Sequence, residues 1–423
     1  MTPEPSLIER DRAHVWHPFT QHETEPDPLP ISSAEASVLT LEDGTELIDG
    51  ISSWWTCLHG HGHPELREAA ASQAATLDHV LFAGTTHEPA VALSEELAEI
   101  APGDLNRVFF SDNGSTSVEV ALKMVRQQWV ERGESQRHVF VSLEGGYHGD
   151  TFGAMAAGDP DPFFLPFKPM MFEVKRVPAN AEAVDAALEE LGNKACGVIL
   201  EPLLQGAAGM KMQTPEFLKG VRAACDRHDV PWIADEVLTG FGRTGWLFAS
   251  QAAGVAPDIM CLAKGLTGGF FPLSVTLATE EIFQRFLSKE RSRAFFHGHT
   301  FTAHPVGCAI ARASLAITKR ENVPARMKAI GERIHAGLVG KLDEERVTGL
   351  RQLGGIVAFE MQPAPGQGSG YLAGDPYTLR ARAIELGVLL RPLGNTLYAM
   401  PPASTTDEEC DRIAAAMIEL SLV

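Results

Sequence analysis

The chain reads as an α/β protein whose large domain is built on a mostly parallel central sheet. Short, nearly continuous apolar runs recur through its middle, helix-length stretches separate several of them, and polar or glycine-rich turns follow at their carboxyl ends. A length of 423 residues, with 44% hydrophobic and 21% charged content, suits one large domain and a smaller one. The 39 glycines and 27 prolines fit many turns between short elements.

The runs are RVFFS (107–111), HVFVSL (138–143), ACGVILEP (195–202), VPWIADE (230–236) and DIMCLAK (258–264). A sheet covered on both faces needs such runs, because neither side of its strands meets water. After the first run, STSVEVALKMVRQQWVERG places Val118, Leu122, Val125 and Trp129 at helical spacing. Glu119, Lys123, Arg126 and Gln127 face elsewhere, and Gly133 follows the end, so one stripe of this helix is expected to pack on the sheet. Near the amino terminus, ASVLTLEDGTELIDG sets a DG turn between apolar stretches and predicts a hairpin. Near the carboxyl terminus, amphipathic helical stretches mix with strand candidates such as GGIVAFEM and VLLRPLGNTLYAM. The expected organisation is a large domain over 57–318 and a small α+β domain assembled from 1–56 and 319–423. QPAPGQGSG (362–370) reads as a mobile low-complexity loop, and no internal repeat is present.

A formal net charge of −20 argues against a phosphate-backbone binder, whose affinity rests on clustered Lys and Arg, so no nucleic-acid partner is expected. The six cysteines are scattered, without a CxxC pair or zinc-finger spacing, and read as buried thiols in a reducing compartment rather than metal ligands. The segment MTPEPSLIERDRAHVWHPFT lacks an apolar core, and no run of 18 apolar residues occurs. No membrane span and a cytoplasmic location are therefore expected.

Four strand ends carry chemistry. RVFFS leads through Asp112, Asn113, Gly114 and Ser115 into a helix, where free amides and the helix dipole favour an anion. HVFVSL leads to Tyr147, which can lie flat on an aromatic ligand. VPWIA stops on Asp235, and DIMCLA stops on Lys264. Each has a plainer reading by itself: a helix cap at Ser115, Thr116 or Ser117, a packing tyrosine, solvated strand-end acids, and a lysine snorkelling to water. One ligand accounts for all four together. Pyridoxal 5'-phosphate needs an amine to bond, a carboxylate for its ring nitrogen, an anion site and an aromatic cover.

IADEVLTGFGRTG leading on to Lys264 resembles the class III aminotransferases of the type I pyridoxal phosphate fold, and the similarity runs over nearly the whole chain. WHPFTQ, DGISSWW, LHGHGHPEL, GYHGDTFGAM, EPLLQGAAGM, ARASLAI and RPLGNTLYAMPP are most similar to the biotin-pathway members of that class. Those enzymes convert 8-amino-7-oxononanoate to 7,8-diaminononanoate, with S-adenosylmethionine as amino donor. The resemblance implies that Lys264 bonds the cofactor and shuttles the proton, Asp235 pairs with the ring nitrogen, Gly114 and Ser115 hold the phosphate, and Tyr147 covers the ring. It further implies that Thr300, with Gly298 and His299 beside it, reaches the phosphate site of a neighbouring subunit, which makes a homodimer with shared active sites. Trp54 and Trp55 would wall the substrate pocket together with Phe19, Tyr147 and Tyr398, Arg391 would clamp the substrate carboxylate, and Arg243 would order the loop after Asp235.

Two positions depart from the pattern. Phe19 stands where users of S-adenosylmethionine usually carry Tyr, and His299 stands where Pro often precedes the threonine. Related enzymes use lysine as donor. The other reading within the class is a transaminase of ω-amino acids or diamines, which would share the cofactor residues and differ at Trp54, Trp55 and Arg391. A cofactor-free binding protein of the same fold is opposed by the presence of both Lys264 and Asp235.

Overall fold

A computed structural model describes residues 4–362 and 376–423. Most of the QPAPGQGSG stretch, expected as a mobile loop, lies outside the described residues. At the centre is a seven-stranded sheet in the order Leu105–Ser111, Ser274–Thr279, Ile259–Leu262, Trp232–Asp235, Ala195–Leu200, Val139–Leu143, Val174–Val177. All five expected runs supply strands to it. Ser274–Thr279 runs antiparallel to both its neighbours, and every other pairing is parallel.

Burial explains why these segments are strands. Val198, Ile199, Ile233, Ala234, Ile259 and Met260 have no measurable exposure, so both faces of the sheet are covered. Along Ile259–Leu262 the side chains alternate: Ile259 and Cys261 enter one apolar cluster, Met260 and Leu262 the other. Each fully buried side chain of this size contributes about 1.5–3 kcal/mol.

The helix Gly114–Glu131 lays Val118, Leu122, Val125 and Trp129 against the sheet, as its spacing predicts. Trp129 Nε1 donates to the Cys196 carbonyl at 2.6 Å, so the largest side chain of the stripe buries no unpaired polar atom. The SVTLAT and VKRV strands carry too many hydroxyls or charges to show an apolar run. In Ser274–Thr279 those hydroxyls are satisfied by the helix above: Ser274 Oγ donates to Asn113 O at 2.7 Å and Thr276 Oγ1 to Ser117 O at 2.8 Å. These bonds fasten the first turn of the helix to the sheet.

Two smaller sheets come from the ends of the chain. Ile31–Glu35, Val38–Leu41 and Glu46–Asp49 form a meander whose last strand pairs in parallel with Val388–Leu389. The expected hairpin is present, with Gly44 at φ 86° in its turn. The other sheet joins Val347–Leu353, Ile356–Met361 and Thr396–Ala399. VLLRPLGNTLYAM is thus two strands, interrupted where Pro392 cannot donate to a ladder. No described helix is long and apolar enough to cross a membrane.

The turn at Gly354 and Gly355 locks these end segments to the loop after the Asp235 strand. Gly355 N donates to Arg243 O at 3.0 Å, and a β-carbon at Gly331, on the helix Val323–Leu338, would collide with Gly354 O. Gly331→Ala is therefore expected to lower stability by roughly 1–3 kcal/mol through forced separation of helix and turn, measurable as a drop in the urea midpoint.

Candidate active site

Lys264 follows its strand by two residues, at φ 40°, a left-handed conformation that turns the chain sharply out of the sheet. Asp235 ends the neighbouring parallel strand, in register with Cys261. Adjacent strand ends thus bring an amine and a carboxylate to one edge, where open α/β sheets place their ligands. Both line a cavity of about 350 Å³, together with Gly114, Ser115, Tyr147 and Trp55.

The anion end is built by Asn113. Its side chain accepts from Thr116 N at 3.0 Å and caps the helix, so the plainer reading of Ser115, Thr116 or Ser117 as the cap does not hold. The Ser115 hydroxyl instead accepts from Asp150 N at 3.1 Å, which ties the helix start to the Tyr147 loop. A helix's first amides have no acceptor of their own, so this end faces the cavity with unused donors.

Electrostatics at the other end are set by desolvation. Burial holds the Lys264 amine below its usual pKa, against the opposing pull of Asp235 and Glu201. Lys264 Nζ also lies 5.2 Å from the Trp55 ring centroid. Asp235 is 4% exposed; its Oδ2 takes a hydrogen bond from His148 Nδ1 at 2.7 Å and its Oδ1 one from Val237 N at 3.1 Å. Glu201 accepts from Tyr147 N and Gly206 N, and burial still pushes its carboxyl up to about 7. The Tyr147 hydroxyl is raised by burial and then by Asp150, to which it donates at 2.8 Å.

A second cavity of about 300 Å³ opens beside the first and shares Trp55, Tyr147 and Lys264 with it. Phe19, Trp54, Asp150, Phe163 and Arg391 also line it. Phe19 meets Trp54 edge-on at 5.6 Å, and the Arg391 guanidinium lies 4.6 Å from the Trp54 centroid. The tryptophans sit on a turn in which Ser52, Ser53 and Trp55 all have positive φ. Such strain persists only when surroundings fix it. Asp49 accepts from Ile51 N and Ser53 N, Ser52 Oγ donates to Met400 O, and Arg243 Nη1 donates to Ser52 Oγ at 3.0 Å and to Pro401 O. Arg243, expected to order its own loop, thus reaches across to fasten the tryptophan turn to the chain's carboxyl-terminal part.

Other expected residues stand further off. Tyr398 does not line either cavity; it stands behind Trp55 and accepts from Trp55 Nε1 at 2.9 Å. Gly298, His299 and Thr300 lie outside both cavity walls, with Gly298 and Thr300 exposed and His299 Nδ1 3.3 Å from Asp112 Oδ2. Among the described residues no group of His, Cys, Asp and Glu is placed to hold a metal ion. Reading from sequence assigned no role to His148, Asp150, Phe163 or Glu201. Glu201 was within reach of the same argument as Asp235, since it too ends an apolar strand.

The family model for class-III aminotransferases matches residues 19–420. This chain is a class III aminotransferase. It is 47% identical to the adenosylmethionine-8-amino-7-oxononanoate aminotransferase of Synechococcus elongatus, over 96% of this chain and 98% of that protein. The namesake of Geobacter sulfurreducens is 40% identical over 96% and 95%. Among solved structures, the namesake from Methanocaldococcus jannaschii superposes with a TM-score of 0.93 at 35% identity, covering 98% of both chains. A transaminase from the marine bacterium Virgibacillus superposes at 0.90 with 31% identity, covering 99% of this chain and 98% of that one. The aminotransferase has the type I fold and depends on pyridoxal phosphate. Its residues suit that group: an enclosed amine, a carboxylate braced by an imidazole, and a glycine cradle. A β-carbon on Gly114 would stand 2.6 Å from Val237 Cγ1.

Glu201 gives this aminotransferase a pH signature. A carboxyl raised from 4.5 to about 7 keeps its proton when folded while the unfolded chain has lost it, so its stabilising share is full below pH 4.5 and fades as pH rises through 7. In the apoenzyme, Glu201→Gln is expected to gain up to about 3 kcal/mol on the parent between about pH 5 and about pH 8. Denaturant titrations at both pH values check this; a pH-independent difference would count against it.

Proposed function

We propose that the enzyme transfers an amino group to 8-amino-7-oxononanoate, forming 7,8-diaminononanoate for biotin synthesis, with S-adenosylmethionine as donor. The observation that carries the reading is the second cavity: aromatic walls at Phe19, Trp54, Trp55 and Phe163, a guanidinium at Arg391 and an amine at Lys264. Such a slot suits an aliphatic chain with a carboxylate at one end and a reacting carbonyl at the other. Aromatic faces also favour a nucleoside and a sulfonium.

Pyridoxal phosphate, when bound, supplies the carbonyl that takes up the donor's amine and a ring that withdraws electrons from the neighbouring carbon. Asp235 presents its carboxyl group to the cavity, and His148 fixes its direction. Gly114 and Ser115 present amides to an anion. Tyr147, braced by Asp150, covers one side of the cavity. Lys264 Nζ, whose proton affinity burial reduces, can accept a proton and return it. Trp55, buried and lining both cavities, shields the reacting end from water.

Gly298, His299 and Thr300 fit the same reading as contributors to a partner's site, since they stand away from their own chain's cavities beside the exposed Phe296 and Phe301. The working unit is then a homodimer. Six buried, unpaired cysteines suit the cytoplasm. Rapid-mixing spectra of the holoenzyme with S-adenosylmethionine, lysine or an ω-amino acid as sole donor test the donor: amino transfer from S-adenosylmethionine is expected, and transfer from lysine alone would overturn that part. For the acceptor, Arg391→Ala is expected to weaken 8-amino-7-oxononanoate binding by about 2–5 kcal/mol while sparing donor turnover. Equal losses in both half-reactions would deny Arg391 the role of acceptor clamp.

A further inference from the structure

Behind the tryptophan turn stands a second set of reactive groups that amino transfer does not use. Cys57 Sγ lies 3.6 Å from His61 Nδ1, and His61 Nε2 lies 2.8 Å from Asp49 Oδ2. Asp49 is fully buried, so the His61 Nε2–H is committed to it. With that proton fixed, Nδ1 faces the sulfur and can take the thiol proton, the order of nucleophile, base and orienting carboxylate that activates a side chain. The hydrogen bond to Asp49, and next that to Cys57, hold the imidazole's pKa up at about 10. Arg243 adds a buried positive charge that feels both Cys57 and Asp49.

The other cysteines differ in kind. Burial pushes Cys196 and Cys308 up to about 12 and Cys410 to about 11, and raises Cys225 and Cys261 as well. Among the described residues, Cys57 alone has an imidazole in hydrogen-bonding reach. The trio is not placed to bind a metal ion.

We propose that Cys57 is a nucleophilic thiol, primed by His61 and Asp49, and a site of covalent modification by small carbon electrophiles. In the step, sulfur attacks the electrophilic carbon and a C–S bond forms. The carbon–halogen bond breaks with its electron pair leaving as halide, and the thiol proton stays on His61 Nδ1. Cys57 is 7% exposed, so the reagent must be small. The site adjoins the cofactor cavity: Thr56 and Gly269 line it, and a β-carbon on Gly269 would come within 2.7 Å of Cys57 N.

Iodoacetamide labelling of the folded holoenzyme, read by intact mass and peptide mapping, tests this. One adduct, on Cys57, is expected, formed faster than on any other cysteine of the chain. His61→Gln is expected to slow Cys57 labelling at about pH 6.5 by about tenfold or more while keeping the cofactor's absorbance. Absence of label on Cys57, or label that appears first on another cysteine, overturns the proposal. So does an unchanged rate in a His61→Gln variant that still holds its cofactor. The readout is independent of which substrates the enzyme uses.

Discussion

An amine enclosed at the edge of a parallel sheet is the constraint on which the site depends. Desolvation penalises the charged form of Lys264, and only nearby carboxylates restore part of the loss. Asp235 supplies that compensation, and Glu201 adds to it when ionised, from the ends of the next two strands on one side of the Lys264 strand, in the order Ile259–Leu262, Trp232–Asp235, Ala195–Leu200. Parallel pairing makes this possible, because it brings three carboxyl ends to one edge without any loop crossing. His148 braces Asp235, and the Tyr147 amide braces Glu201, so the loop after Val139–Leu143 serves both acids.

The second cavity is made differently. Its tryptophans stand on a strained turn rather than on a strand, and that turn is held from three directions: Asp49 from the amino-terminal meander, Met400 and Pro401 from the carboxyl-terminal part, and Arg243 from the loop after Asp235. Strained backbone is stable only where surroundings over-determine it, so pocket shape and the docking of the chain's ends are one problem. Gly331 and Gly354 matter for the same reason, since they let backbones meet where the Arg243 loop is anchored. Asp49 also orients His61, which links the turn to the Cys57 thiol.

How much of this was legible in the sequence follows from what each residue does locally. Lys264 and Asp235 were visible because an apolar run halts on a charge, and Val118, Leu122, Val125 and Trp129 because helical spacing survives any context. SVTLAT was hidden because its Ser and Thr side chains lower the apolar signal, although helix carbonyls satisfy them. The Asn113 cap was overlooked beside three hydroxyl candidates that follow it. Arg243 and Tyr398 could be named but not placed, because the partners that fix them, Ser52 and Trp55, lie far away in sequence. Cys57, His61 and Asp49 are close in sequence, but an irregular turn with positive φ at Ser52, Ser53 and Trp55 lies between them, and no regular spacing announces their pairing.

The central claim is that Lys264 is the amine the cofactor bonds. Borohydride reduction of the purified holoenzyme, followed by proteolysis and mass mapping, tests it most directly, because reduction fixes the cofactor to whichever lysine holds it. Pyridoxyl on the peptide bearing Lys264, and on no other, is the expected result. Pyridoxyl on a different lysine, or a folded, cofactor-loaded protein that reduction leaves unlabelled, would contradict it.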